Sequence, residues 1–377
     1  MTTLNATPIF QTPGSFITAI RERGTVLHIA TQEGIIYRGT AGAVFLDIRP
    51  DVLFSGEMGL LGLAFHPTTS TRFFLWYSEE PNVATPPFNH INRLEEWRIV
   101  NGVPQRFVTL IRIPTIGPNH NGLNNIFYDS QLGRLIIATG DGGDSTLAQD
   151  DDSLLGKLIS VDVDSSFWQT HNNTTPVTQV SALGVFASVI SVISKGIRNP
   201  TRLDQKAGFK FMSVAGNTNR EFAFAFKSYG KNFGWRAFEG SVPTIAGSTV
   251  AFPIEVNLLL QRNLWGSIVS YANANATGLT PPVLRGIAMT GIDYYQGSIP
   301  QIQNNLIFTD LSNEVFQASL PPAQITFEQF LRIPHGTRQI TVNNLTGSIS
   351  TMYVTSDQRL LVAHGNGSTS TISELTA

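Results

Sequence analysis

Apolar residues along this chain fall into short runs of about four to eight positions, and almost no stretch carries a 3.6-residue period. One unit recurs. An apolar strand is followed by a short turn rich in Gly, Asp, Ser or Thr, then by a second strand that ends in small residues. First strands are predicted at residues 17–20, 63–67, 125–128, 201–203, 291–295 and 352–354, with second strands at 25–30, 73–77, 134–140, 209–214, 305–309 and 359–363. From Val26 to Leu360 the second strands average about 67 residues apart, close to one sixth of the chain. Strands this short and this evenly dispersed predict radial repetition of small antiparallel sheets. The expected fold is all-β: a six-bladed β-propeller of four-stranded antiparallel blades, forming one domain over residues 1–377. Uneven spacing calls for a longer insertion around residues 240–285. The alternative is a pair of β-sandwiches, but no linker-like change of composition divides the chain.

Composition narrows the partners. Only 14% of the 377 residues are charged, against roughly 25% in ordinary soluble domains, while 42% are hydrophobic, enough for a core. Lys and Arg number 25 against 27 acids, so there is no basic field to attract nucleic acid or an anionic membrane. The absence of Cys excludes a disulfide framework, thiolate zinc and a cysteine nucleophile. The start, Met1-Thr2-Thr3-Leu4-Asn5, has neither the basic nor the apolar region of a signal peptide. The most apolar stretch, residues 181–194, is too short to span a bilayer. A soluble protein is expected, with its compartment left open.

Three segments concentrate candidate chemistry. Residues 56–67 place Glu57 among glycines ahead of a strand. Residues 118–122 place His120 between Asn119 and Asn121, where hydrogen bonds can position an imidazole for general-base work near neutral pH. Residues 196–202 place Arg198 and Asn199 beside a proline-fixed bend. Asp141-Gly142-Gly143-Asp144 reads either as part of a calcium loop or as a plain turn, since two carboxylates do not fill six to eight oxygen positions. The remaining histidines show no metal-ligand spacing, and neither a nucleophile elbow nor a phosphate-cradling glycine loop is present.

Taken in order, residues 56–67, 119–122, 139–143, 152–162, 196–202 and 232–240 resemble the soluble, pyrroloquinoline quinone (PQQ)-dependent glucose and aldose sugar dehydrogenases. The last segment is closest to the hedgehog-interacting-protein-like branch. The resemblance covers about residues 50–310 and implies a six-bladed propeller that oxidises a sugar at its anomeric carbon with PQQ and Ca²⁺. It implies His120 as the general base, Glu57 and Asn119 as sugar contacts, and Arg198 and Asn199 as cofactor contacts. It places the cofactor's Ca²⁺ near Gly216 and Asn217, and a structural Ca²⁺ at Glu221 and the Phe233 carbonyl. Where the family has a basic residue after its fifth-blade strand end, this chain has Glu314, an acid facing the expected carboxylates of PQQ. Family members usually work in the periplasm or outside the cell. The competing expectation is a catalytically lapsed propeller that binds a protein partner or assembles with itself.

Overall fold

In the computed structural model, residues 2–14, 16–81, 88–240, 242–243, 264–276, 284–319 and 336–377 are described. The fold is all-β and propeller-like, built from four-stranded antiparallel sheets. Strands Ile17–Arg23, Val26–Thr31, Ile35–Arg38 and Ala43–Asp47 form the first sheet. Leu60–Phe65, Arg72–Glu79, His90–Val100 and Val103–Thr115 form the second, and Ile126–Asp129, Arg134–Ala138, Lys157–Val161 and Ile190–Lys195 the third. Asn199–Lys206, Phe209–Ala215, Arg220–Phe226 and Val269–Asn273 make a fourth sheet, extended by the short strand Arg285–Gly286.

The remaining strands do not separate as the sequence pattern predicts. Met289–Tyr295, Asn305–Asp310, Glu314–Ser319 and Thr337–Asn343 share one eight-stranded sheet with Thr2–Pro13, Thr369–Thr376, Leu360–Gly365 and Ser348–Val354. The join is a parallel pairing of Thr2–Pro13 with Thr337–Asn343. On its other side Thr2–Pro13 pairs antiparallel with Thr369–Thr376, so the two ends of the chain close one sheet together. Most of the expected 240–285 insertion lies outside the described residues.

First strands contact one another in a closed ring. Ile17–Arg23 meets Leu60–Phe65, which meets Ile126–Asp129, then Asn199–Lys206, Met289–Tyr295, Ser348–Val354, and Ile17–Arg23 again. These strands are covered on both faces: Leu60–Phe65 reads as an almost unbroken apolar run, and Met289–Tyr295 is buried nearly throughout. Large rings fill the wedges between sheets, as where Phe127, Phe211, Phe224, Phe308 and Phe316 join one buried cluster.

Five of the six ring strands carry a β-bulge at the same height, which leaves Thr18, Leu61, Thr201, Thr290 and Ser350 out of ladder register. A bulge re-aims its extra residue. Here the re-aimed hydroxyls tie neighbouring sheets together: Thr18 Oγ1 donates to the Leu60 carbonyl at 2.8 Å, and Ser350 Oγ to the Ile17 carbonyl at 2.7 Å. Thr201 Oγ1 donates likewise to the Met289 carbonyl at 2.5 Å. Among the described residues, no helix is long and apolar enough to cross a membrane.

Candidate active site

At one end of the strand ring lies a cavity of about 510 Å³, floored by Thr18, Thr201, Thr290 and Ser350. Glu57, Asn119, His120, Arg198, Asn199 and Gly216 line it, so residues from four distant segments converge on one space.

His120 sits at φ 63°, a left-handed backbone conformation uncommon for a residue with a side chain. Its environment holds it there. The His120 N–H donates to Glu57 Oε2 at 2.7 Å, and its carbonyl presses on Gly140, where a Cβ would lie 1.9 Å from that oxygen. Only glycine fits at 140.

The imidazole is oriented by a group to which the sequence assigned no such role. His120 Nδ1 lies 2.6 Å from Oδ1 of Asp141, whose residue is 1% exposed. Gly143 N–H donates to the same oxygen at 2.9 Å, and Trp235 Nε1–H donates to Oδ2 at 2.7 Å. A carboxylate accepts only, so Nδ1 carries the proton and Nε2 is left as an acceptor. Asp141 N–H in turn donates to the Arg198 carbonyl at 2.8 Å, which fixes the two motifs to each other. The acid after Thr139-Gly140 was visible in sequence as a turn residue; its reach to His120 depends on how two loops meet, which local pattern does not encode.

Arg198 is largely buried yet makes no ion pair among the described residues. Its Nη1 donates to the Ala215 carbonyl at 3.0 Å and its Nη2 to Asn217 Oδ1 at 3.4 Å, while Nε has no partner. The guanidinium lies 5.5 Å from the Trp235 ring centroid. Burial lowers its pKa, opposed by the nearby charges of Asp141, Glu221, Glu239 and Glu57. An unpaired cation at the wall of a cavity suits an anionic ligand. Asn199 is buried and donates from Nδ2 to Glu57 Oε2 at 3.1 Å, and Asn119 lines the cavity.

The residues expected to hold calcium fall into two places. Gly216, Asn217 and Glu221 share a turn so tight that a Cβ on Gly216 would lie 1.6 Å from the Arg220 carbonyl oxygen. Glu221 is fully buried, and its carboxylate accepts from Gly216 N–H (2.9 Å), Asn273 Nδ2 (2.6 Å) and Met289 N–H (3.2 Å). The buried Glu239 carboxylate accepts from four successive N–H groups, those of Asn217, Thr218, Asn219 and Arg220, at 2.7–3.2 Å. Both acids therefore meet hydrogen-bond donors, while burial pushes the Glu221 carboxyl up to about 7. Phe233 packs its ring on Phe224 and Phe226, and its described N–H bond goes to the Lys195 carbonyl. No group of three or more His, Asp or Glu side chains suited to a metal occurs among the described residues. Glu314 hydrogen-bonds to Gln339 of the neighbouring strand and is absent from the cavity lining, where Leu311 of the same turn stands instead. The repulsion expected from Glu314 therefore has no counterpart at this wall.

Known proteins of similar sequence and shape share this frame. The family described as Glucose / Sorbosone dehydrogenase matches residues 10–243. The PQQ-bound aldose sugar dehydrogenase of Streptomyces coelicolor is 19% identical with a TM-score of 0.64, over 98% of this chain and 96% of that one. The soluble aldose sugar dehydrogenase of Escherichia coli, solved in the apo form, is 17% identical with a TM-score of 0.64, over 99% of both chains. A Trichoderma reesei carbohydrate-active enzyme of family AA12 is 12% identical with a TM-score of 0.52, over 99% of this chain and 96% of that one. No curated protein sequence matches.

Proposed function

Because the chain belongs to the glucose and sorbosone dehydrogenase family, we propose that it oxidises aldose sugars at the anomeric carbon, within a single six-bladed propeller domain. The blade count divides the eight-stranded sheet at its parallel join and follows the closed ring of six first strands.

The observation that carries the activity is His120 Nδ1 bonded to the buried Asp141 carboxylate at 2.6 Å on the wall of a 510 Å³ cavity. Nε2 is then free to take the proton of the anomeric hydroxyl, and Asp141 stabilises the imidazolium that results. As that proton leaves, the oxygen's electrons form the carbonyl and the anomeric hydrogen departs with its bonding pair, leaving a lactone. PQQ, which the Streptomyces coelicolor relative binds, would supply the two-electron acceptor for that hydride. Arg198 would face its carboxylates and Asn199 would lie beside it. Glu57 and Asn119 would contact the sugar. A Ca²⁺ near Gly216 and Asn217 would find backbone and amide oxygens, and would rely on the cofactor for negative charge, because Glu221 and Glu239 spend theirs on N–H donors.

The test supplies purified protein with PQQ, Ca²⁺, a dye acceptor and a panel of aldoses. Dye reduction is expected, and His120→Gln should lower turnover by about 10²–10⁴-fold. No reduction with any sugar, together with no calorimetric binding of PQQ, would overturn the enzyme reading and leave a propeller that serves as a binding scaffold.

A further inference from the structure

Two donors meet the Glu57 carboxylate, and both choose the same oxygen. Oε2 accepts from His120 N–H at 2.7 Å and from Asn199 Nδ2 at 3.1 Å, whereas Oε1 accepts no hydrogen bond among the described residues. The loop is fixed on both sides of Glu57, since Gln32 Nε2 donates to the Gly56 carbonyl at 2.7 Å and to the Met58 carbonyl at 3.1 Å. Glu57 is thus an exposed residue held by one oxygen, and it lines the cavity.

The charges around that space lean negative. Glu57 and, behind His120, Asp141 face one cation, Arg198, which forms no ion pair with either among the described residues. An anionic cofactor on Arg198 would leave Glu57 uncompensated. The Glu57 carboxylate is bonded to the backbone of His120; on the reading of His120 as the base at the anomeric hydroxyl, a substituent on the next ring carbon would be the one to meet it.

We propose that Glu57 selects aldoses bearing an ammonium group beside the anomeric carbon, the 2-amino-2-deoxy aldoses, over neutral sugars and against sugar acids. This rests on the reading of the cavity as a sugar site. An ammonium donates to a free carboxylate oxygen in a charge-assisted hydrogen bond, whereas a hydroxyl makes only an ordinary one and a second carboxylate is repelled.

Four probes separate the terms: 2-amino-2-deoxyglucose, its uncharged 2-acetamido counterpart, glucose and glucuronate. Binding is read by calorimetry and turnover by dye reduction in the presence of PQQ and Ca²⁺. The amine should bind about 10–100-fold more tightly than the acetamide or glucose, with glucuronate weakest. Glu57→Gln keeps an acceptor for the His120 N–H but removes the charge, and should bring the preference to within about threefold. Added salt should erode the preference in the unaltered protein, a measurement that does not depend on how the variant folds. Equal binding of amine and glucose, or a preference that survives Glu57→Gln, overturns the proposal. Oxidation of all neutral sugars without charge preference would overturn it while leaving the dehydrogenase reading intact. Glu57-dependent amine binding with no oxidation of any sugar would uphold it and remove the dehydrogenase reading.

Discussion

Replacing Asp141 by Asn changes a single atom of a side chain that receives three donors, and geometry dictates the outcome. In one orientation the amide oxygen stays opposite His120 Nδ1 and Gly143 N–H, and the new NH₂ points at Trp235 Nε1–H, 2.7 Å from the atom it replaces. In the other, the NH₂ opposes both His120 and Gly143, and the imidazole must move its proton to Nε2 to accept from it. The first orientation forfeits one bond and the second conflicts with two, so the first should prevail, at a cost of about 1–3 kcal/mol for the buried indole donor left unpaired. A domain of this size should then lose only a few degrees of Tm. The rate suffers more. Without the carboxylate charge the imidazolium loses its counter-ion, and kcat with the best aldose should fall by about 10²–10⁴-fold. Steady-state dye reduction, thermal unfolding and the pH dependence of kcat/KM would be measured together. Asp141→Asn with kcat within threefold of the unaltered protein, and a Tm shift of the expected size, would refute the assignment of Asp141 as the counter-ion of the base.

Two buried histidines weaken the fold in acid. His28 and His90 are buried, and burial pulls each pKa from 6.5 down to about 4. The unfolded chain therefore binds more protons than the folded one between those values. Stability contributed by each is full above pH 6.5 and lost as pH falls towards 4, up to about 3 kcal/mol apiece. His28→Phe, whose ring would sit between Phe45 and Phe65, and His90→Gln should each flatten the acid limb of denaturant midpoints measured from pH 7 to 4.5; parallel limbs would contradict this. Gly140→Ala places a methyl group 1.9 Å from the His120 carbonyl oxygen. Overpacking should cost about 1–3 kcal/mol or more and move the base with it, so activity should fall well beyond the fraction of protein unfolded; full specific activity would show that the loop yields.

Much of this arrangement was legible in the sequence, because it is local. First strands predicted at 201–203 and 291–295 lie within Asn199–Lys206 and Met289–Tyr295, since a hairpin announces itself by alternating apolar residues around a short turn. Glu57, His120, Arg198 and Gly216, which the sequence offers in separate motifs, line one cavity. What escaped was long-range. Thr2–Pro13 was not read as a strand, because its partners begin at Thr337 and Thr369. Asp141 looked like a turn residue, and indeed Gly143 N–H bonds to it two residues on; the bond to His120 joins two loops. Glu221 entered as a calcium ligand through the family resemblance alone; of the three donors that meet its carboxyl, from Gly216, Asn273 and Met289, the last two depend on long-range packing that local pattern does not encode.

The sheet closed by both chain ends has a consequence for biosynthesis. Gln11 and Thr371 are hydrogen-bonded across a separation of 360 residues, which a ribosome working at about 5–20 residues per second needs roughly 20–70 s to traverse. Until Thr337–Asn343 and then Thr369–Thr376 have been made, Thr2–Pro13 exists without the neighbours that its backbone is shaped to join. It is a nascent edge of 12 residues, the kind of segment to which other chains pair. The earlier sheets can collapse as they emerge, but the ring acquires its last wall only once Thr369–Thr376 has been made. A chain that leaves this edge unprotected during synthesis exposes 12 residues of unpaired backbone to its neighbours.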